Sequence, residues 1–306
     1  MMNPNNSYVM KFGGSCLMGA EDMAGAASIV SRYRNSVVIA SAMNGVTQKL
    51  IDVCESDSSE KRNSILLSLS QLHKRALSRI NDIHLYQEAL SELEEGMEGL
   101  SKISTSFEGN CTQVKRAHIL SFGERFSATI LKWYIRDHGA NSVAVSADEI
   151  MFSLDDDYLN ATIDEKNSPE AIRRRVVEHN TRGEVPVITG FYCRSRSGGV
   201  ALLGRNSSDY TAAMVAYALP THELVFWKDV PGLMTSDPKV VKNSQVIRVL
   251  SYDEAGRYII NGARILHPKV LDLARRKEIT IRLRYFREPE ARGTLISGAI
   301  PSAEIS

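Results

Sequence analysis

The chain has 306 residues, with 37 lysines and arginines against 36 acidic residues and a formal net charge of +1. That length suits one large α/β domain or two lobes, and that balance removes any general drive toward nucleic acid or an anionic membrane. Four scattered cysteines (Cys16, Cys54, Cys111, Cys193) with no C-x-x-C pair, no long apolar run and a short polar start lead us to expect a cytoplasmic protein without a zinc site, disulfide framework or membrane span.

In chain order, Tyr8–Phe12 reads as a buried strand giving way to a Gly-rich turn, and residues 21–33 carry helical spacing. Ser36–Ser41 is the continuous apolar run of a parallel-sheet strand, which completes a first βαβ unit. From about Gln48 to Trp133 the pattern becomes helical: Leu66, Leu67, Leu69 and Leu72, then Leu90, Leu93, Met97 and Leu100, form a core and interface stripe of a helical insertion. Asn141–Val145 and Val185–Thr189 resume strand character, and Ser195–Gly199 reads as a hairpin tip or flexible loop. Asp209–Ala218 reads as a helix, Glu223–Trp227 as a strand and Pro231-Gly232 as a turn. Helices over Tyr252–Tyr258 and Pro268–Arg276 and a strand at Thr280–Leu283 close the series. Arg173-Arg174-Arg175 and Arg275-Arg276-Lys277 read as solvated helix faces. The expected fold is a doubly wound α/β sandwich with a helical insertion.

Several chemistries are absent. The chain lacks G-x-x-x-x-G-K-[ST], a G-x-G-x-x-G after the first strand, H-E-x-x-H and G-x-S-x-G. Lone histidines such as His118 and His267 read as structural. What remains is Lys11-Phe12-Gly13-Gly14-Ser15, a cation and a bare backbone at a strand end. That pairing suits phosphoryl transfer, where glycines admit an anion and lysine answers its charge, although an ordinary strand-to-helix turn looks the same. Four further segments bear polar groups at element ends: Ser41-Ala42-Met43-Asn44-Gly45-Val46-Thr47, Ser121-Phe122-Gly123-Glu124 at an expected helix start, Leu203-Gly204-Arg205-Asn206-Ser207-Ser208-Asp209-Tyr210, and Phe226-Trp227-Lys228-Asp229-Val230-Pro231-Gly232. Arg205 suits bidentate grip of a carboxylate, with helix N–H donors beside it.

These segments, in this order, resemble the catalytic domain of the aspartate kinases in the amino-acid kinase superfamily. Lys11–Ser15 is similar to that family's K-F-G-G-T-S, Ser121–Ser127 to S-x-G-E-x-x-S and Leu203–Tyr210 to L-G-R-G-G-S-D-Y. Trp227–Lys239 is similar to W-T-D-V-x-G-x-x-T-x-D-P-R, Gly262–Pro268 to G-A-K-V-L-H-P, and Gly293-Thr294-Leu295-Ile296 to the domain's end. The resemblance spans residues 8–296. It implies a three-layer αβα sandwich with a mostly parallel sheet, of the carbamate kinase-like type. Residues 8–190 would form an amino-acid-substrate lobe and residues 191–300 an ATP-binding lobe.

The resemblance also implies roles. Lys11 would stabilise the moving phosphoryl group and Asp209 would organise Lys11. Arg205, with Ser208, Thr47 and Ser41, would hold the amino-acid substrate, and Glu124 would pair with its ammonium group. Gly13, Gly14 and Ser15, then Lys228, Asp229, Met234, Lys239 and Arg264, would hold ATP and its phosphates. Magnesium would bridge the phosphates through nucleotide oxygens and water, with no dedicated protein metal site. The partners are small molecules, with a homodimer as an option. The implied reaction is phosphorylation of the aspartate side-chain carboxylate by ATP. Two alternatives stay open: another amino acid or small carboxylate as acceptor, or a catalytically weak paralogue acting as a binding partner.

The chain departs from the family pattern at identifiable positions. Ser15-Cys16 stands for Thr-Ser, Asn206-Ser207 for Gly-Gly, Lys228 for threonine, Met234 for tyrosine and Arg264 for lysine. Asn206 suits the left-handed geometry a glycine would hold, and Lys228 would add a phosphate contact or point to solvent. From the chain's length, no C-terminal regulatory ACT domain, and no feedback through one, is expected.

Overall fold

Residues 7–107, 110–236, 241, 243–261 and 265–298 are described by the computed structural model. The sequence Ser-Tyr-Val-Met-Lys-Phe forms strand β1 (Ser7–Phe12), buried along nearly its whole length. It lies between two parallel neighbours, β2 (Ser36–Ala40) and β7 (Thr221–Lys228). Burial on both faces explains why these strands are continuous apolar runs. β3 (Ser142–Val145) and β4 (Val185–Thr189) extend the sheet on one side. β9 (Ile281–Tyr285), β10 (Thr294–Ile296) and β8 (Val249–Leu250) extend it on the other, with β10 antiparallel to β9. Among the described residues the order is β3-β4-β2-β1-β7-β9-β10-β8, one sheet of eight strands. β5 (Tyr192–Arg194) and β6 (Val200–Leu202) form a separate hairpin, so Ser195–Gly199 is a hairpin tip.

Helices cover the sheet in two layers. α1 (Ala20–Val30) packs against α5 (Gln113–Asp137), which lies over β2, β3 and β4. α6 (Ser168–Thr181), α7 (Ser208–Ala218) and α9 (Pro268–Arg276) pack together elsewhere, with α7 over β1 and β7 and α6 against β4. The result is the expected three-layer sandwich. The helical insertion is α2 (Val46–Glu55), α3 (Ser59–Ala76) and α4 (Ile83–Thr105), gathered around α5. α8 (Tyr252–Ile260) opens with a capping box made by Ser251 and Glu254.

Two expectations are corrected. Glu124 does not begin a helix; it sits in the middle of α5. Gly123 is there for packing: a Cβ on it would lie 2.9 Å from the Ala42 side chain. Leu67 does not join the core stripe and is 61% exposed, because it points about 100° around α3 from buried Leu66. Of the two arginine-rich runs, Arg173, Arg174, Arg275, Arg276 and Lys277 are exposed as expected.

Candidate active site

Parallel pairing brings the carboxyl ends of β1, β2, β4 and β7 to one edge, in register at Lys11↔Ile39, Lys11↔Phe226 and Ala40↔Thr189. Ligands of open α/β sheets bind at such an edge. Here it opens into a cleft of about 1190 Å³ lined by Lys11, Gly14, Ser41, Thr47, Glu124 and Arg205, with Ser208, Asp209 and Lys228 beside them.

At its centre, Lys11 Nζ lies 2.7 Å from Asp209 Oδ1, an ion pair not aligned as a hydrogen bond. Asp209 occupies the first turn of α7, where the helix dipole also favours a carboxylate. Lys228, at the end of β7, donates to the second oxygen of Asp209 at 3.2 Å. Burial alone would raise the Asp209 carboxyl, but the charges of Lys11 and Lys228 outweigh it and hold the group below its usual range. Burial pushes the Lys228 ammonium down, opposed by Asp209. Lys228 therefore does not point to solvent.

Glu124 lines the same cleft, buried on α5, and burial pushes its carboxyl up to about 8. The backbone N–H of Ala42 donates to its Oε1 at 3.1 Å, while Oε2 has no partner among the described residues. Close packing sets this arrangement. Gly14 has no room for a side chain, since a Cβ would lie 2.7 Å from the Ala42 carbonyl, and Gly123 admits the Ala42 methyl from the other side. The β1 and β2 loops and α5 are thereby locked together around Glu124.

The turn before α7 carries Arg205, exposed at the cleft. Gly204 (φ +85°) and Asn206 (φ +61°) are both left-handed, as the asparagine substitution anticipated. Ser207 is turned inward and donates to the Gly204 carbonyl at 2.8 Å, so of the substituted pair only Asn206 borders the cleft. Cys16 is likewise buried, its thiol directed at the Trp227 carbonyl at 3.4 Å.

Other expected residues sit outside the cleft lining. Gly13 and Ser15 belong to the turn behind Lys11, Asp229 is exposed beyond β7, and Met234 makes an isolated bridge with Val246. Lys239 and Arg264 lie outside the described residues. Conversely, Arg116, which sequence reasoning passed over, and His267, which it read as structural, are both in the lining. Arg116, Leu120 and Glu124 recur every four residues on one face of α5, a legible signal. His267 caps α9, accepting the Lys269 N–H at 3.3 Å, and stacks on Tyr210 with centroids 5.7 Å apart. Its Pro268 neighbour at the first helical position was the clue.

The amino acid kinase family pattern matches residues 6–284. The chain belongs to the amino acid kinase family. Among curated family members, Aspartokinase 1, chloroplastic, of Arabidopsis thaliana is 33% identical over 300 residues, covering 94% of this chain and 52% of the relative. Lysine-sensitive aspartokinase 3 of Escherichia coli is 27% identical, covering 94% and 63%. The chain thus spans about half the length of the plant relatives it matches. Among solved structures, E. coli aspartokinase III in complex with aspartate and ADP superposes with a TM-score of 0.89 at 26% identity, covering 97% of this chain and 65% of that one. The UMP kinase of Bacillus anthracis, at 16% identity and a TM-score of 0.52, shares the amino acid kinase fold alone.

The site suits a polyphosphate. Two ammonium groups meet one carboxylate beside a glycine turn. Among the described residues no cluster of three His, Cys, Asp or Glu side chains is placed to hold a metal ion. No helix among the described residues is long and apolar enough to cross a membrane.

Proposed function

We propose that this chain is an aspartate kinase catalytic unit, transferring the terminal phosphoryl group of ATP to the side-chain carboxylate of L-aspartate to form 4-phospho-L-aspartate. The observation that carries this reading is the convergence, on one cleft, of the Lys11–Asp209–Lys228 ion cluster with buried Glu124 and exposed Arg205. Phosphoryl transfer needs positioning and charge neutralisation more than covalent chemistry. Lys11, fixed by Asp209, neutralises charge developing on the transferred group. Glu124 Oε2 accepts from the substrate ammonium, and Arg205 with Thr47 and Ser208 grips a carboxylate. The acceptor carboxylate is already ionised at neutral pH, so no residue has to remove a proton from it. When bound, magnesium would offset phosphate charge. Residues 8–190 supply most of the amino-acid side of the cleft and residues 191–300 the nucleotide side, with Arg205 and Ser208 reaching the amino acid from the second lobe and Lys11 as the shared element. The relationship to aspartokinases, and the complex of one of them with aspartate and ADP, support the choice of substrates.

The test is ADP release with Mg-ATP across a panel of amino acids, with hydroxylamine trapping any acyl phosphate. Aspartate-dependent ADP together with aspartyl hydroxamate is the expected result. Turnover with a different carboxylate and silence with aspartate would instead favour a second reading, in which Asn206 at the cleft selects another acceptor.

A further inference from the structure

A threonine in place of Lys228 would bring no charge to the cleft. The lysine here is drawn inward, its side chain only 16% exposed, with its ammonium on Asp209 Oδ2 while Lys11 holds Oδ1. Two consequences follow. Both oxygens of Asp209 are engaged by cations, so while both lysines hold it this carboxylate is not free to ligate a divalent ion. And two ammonium groups against one carboxylate leave a surplus positive charge in a largely buried setting, where attraction to an anion is far stronger than in water. Of the two lysines, Lys228 is the looser, at 3.2 Å against 2.7 Å, and its release would leave Asp209 paired with Lys11.

We propose that Lys228 is a second phosphate-binding cation that lets the cleft hold the polyphosphate of a nucleotide without a divalent ion. The inference rests on the kinase reading for the nucleotide but not for the phosphate contact itself. Lysine binds phosphate as a flexible point charge, so Lys228 leaves Asp209 for a phosphate oxygen when the polyphosphate enters. Magnesium then serves the transfer step more than the binding step.

The test is calorimetric binding of ATP and of inorganic tripolyphosphate, in EDTA and in excess Mg2+, to the wild type and to Lys228→Thr, Lys228→Met and Lys228→Arg. The wild type is expected to bind both ligands in EDTA. The threonine and methionine variants should weaken metal-free binding by about 10- to 100-fold, the worth of one charged hydrogen bond, with a smaller loss in Mg2+ and substantial rescue by arginine. Unchanged metal-free affinity in the threonine variant overturns the inference while the kinase reading stands. Tripolyphosphate binding that depends on Lys228, without ATP binding, supports the phosphate contact and sinks the nucleotide reading. No binding of either ligand by the wild type overturns both. Should the truncated variants not fold, reductive methylation of the wild type gives the answer by peptide mass spectrometry. Protection of Lys228 by metal-free ATP supports the assignment, and equal labelling with and without it refutes it.

Discussion

Glu124 is the residue whose energetics are most exposed to measurement. Burial raises its carboxyl from 4.5 to about 8, so the folded chain binds a proton there that the unfolded chain has already lost. Stability from that proton is complete below about pH 4.5 and declines as pH rises toward 8. Glu124→Gln keeps an acceptor for the Ala42 N–H and removes the buried charge. It should therefore be more stable than the wild type at pH 9, by on the order of a few kcal/mol, with little difference at pH 5, as read from melting curves. Equal melting curves at both pH values would mean that Glu124 is solvated in the folded protein. The same proton opposes capture of a substrate ammonium, so KM for the amino acid should fall as pH rises to about 8 and then level. For Lys11→Ala we expect kcat to drop by about 10²-fold or more, as when one transition-state donor is removed. Arg205→Ala should raise KM for the amino acid and leave ATP binding intact. An equal loss of ATP affinity would move Arg205 to the nucleotide subsite.

Among the elements, α5 and the loop after β2 are held by a close steric contact at the site. Gly123→Ala places a methyl group 2.9 Å from the Ala42 side chain, and Ala42 supplies the N–H that holds Glu124. Overpacking of that kind costs about 1–3 kcal/mol. Chemical denaturation should show that loss, together with a raised KM for the amino acid. A variant as stable as the wild type would show that the two elements can separate without consequence. This contact also marks where local reading stopped. The strands at Tyr8–Phe12, Ser36–Ser41 and Val185–Thr189 were legible because parallel strands buried on both faces must be continuous apolar runs. The helices at Asp209–Ala218 and Pro268–Arg276 announced themselves by spacing and by proline. Ser121–Glu124 has the composition of a helix start, yet its glycine answers to Ala42, 81 positions earlier in the chain (123 minus 42). Lys228 was ambiguous for the same reason: its direction is decided by Asp209 on another element. His267 and Arg116 enter the cleft only through tertiary packing.

For the whole molecule, the decisive feature is the place of β1. It pairs with β2 on one side and with β7 on the other, and it carries Lys11 to the seam between them. No sheet edge separates the two halves, so they should not unfold independently. Phe12 and Trp227, on β1 and β7, stack across this junction with centroids 6.0 Å apart, which gives the seam its own aromatic signal. Thermal unfolding followed by near-ultraviolet and far-ultraviolet circular dichroism should superimpose as a single transition. A nucleotide at 100 times its Kd adds about 2.7 kcal/mol to a two-state protein. If the sheet is one cooperative unit, that increment should move the entire transition and both signals together. If residues 8–190 melted at an unchanged temperature while the remainder shifted, the halves would be separate folding units. β1 would then be only a link between them, and Lys11 would owe its position to Asp209 rather than to the sheet.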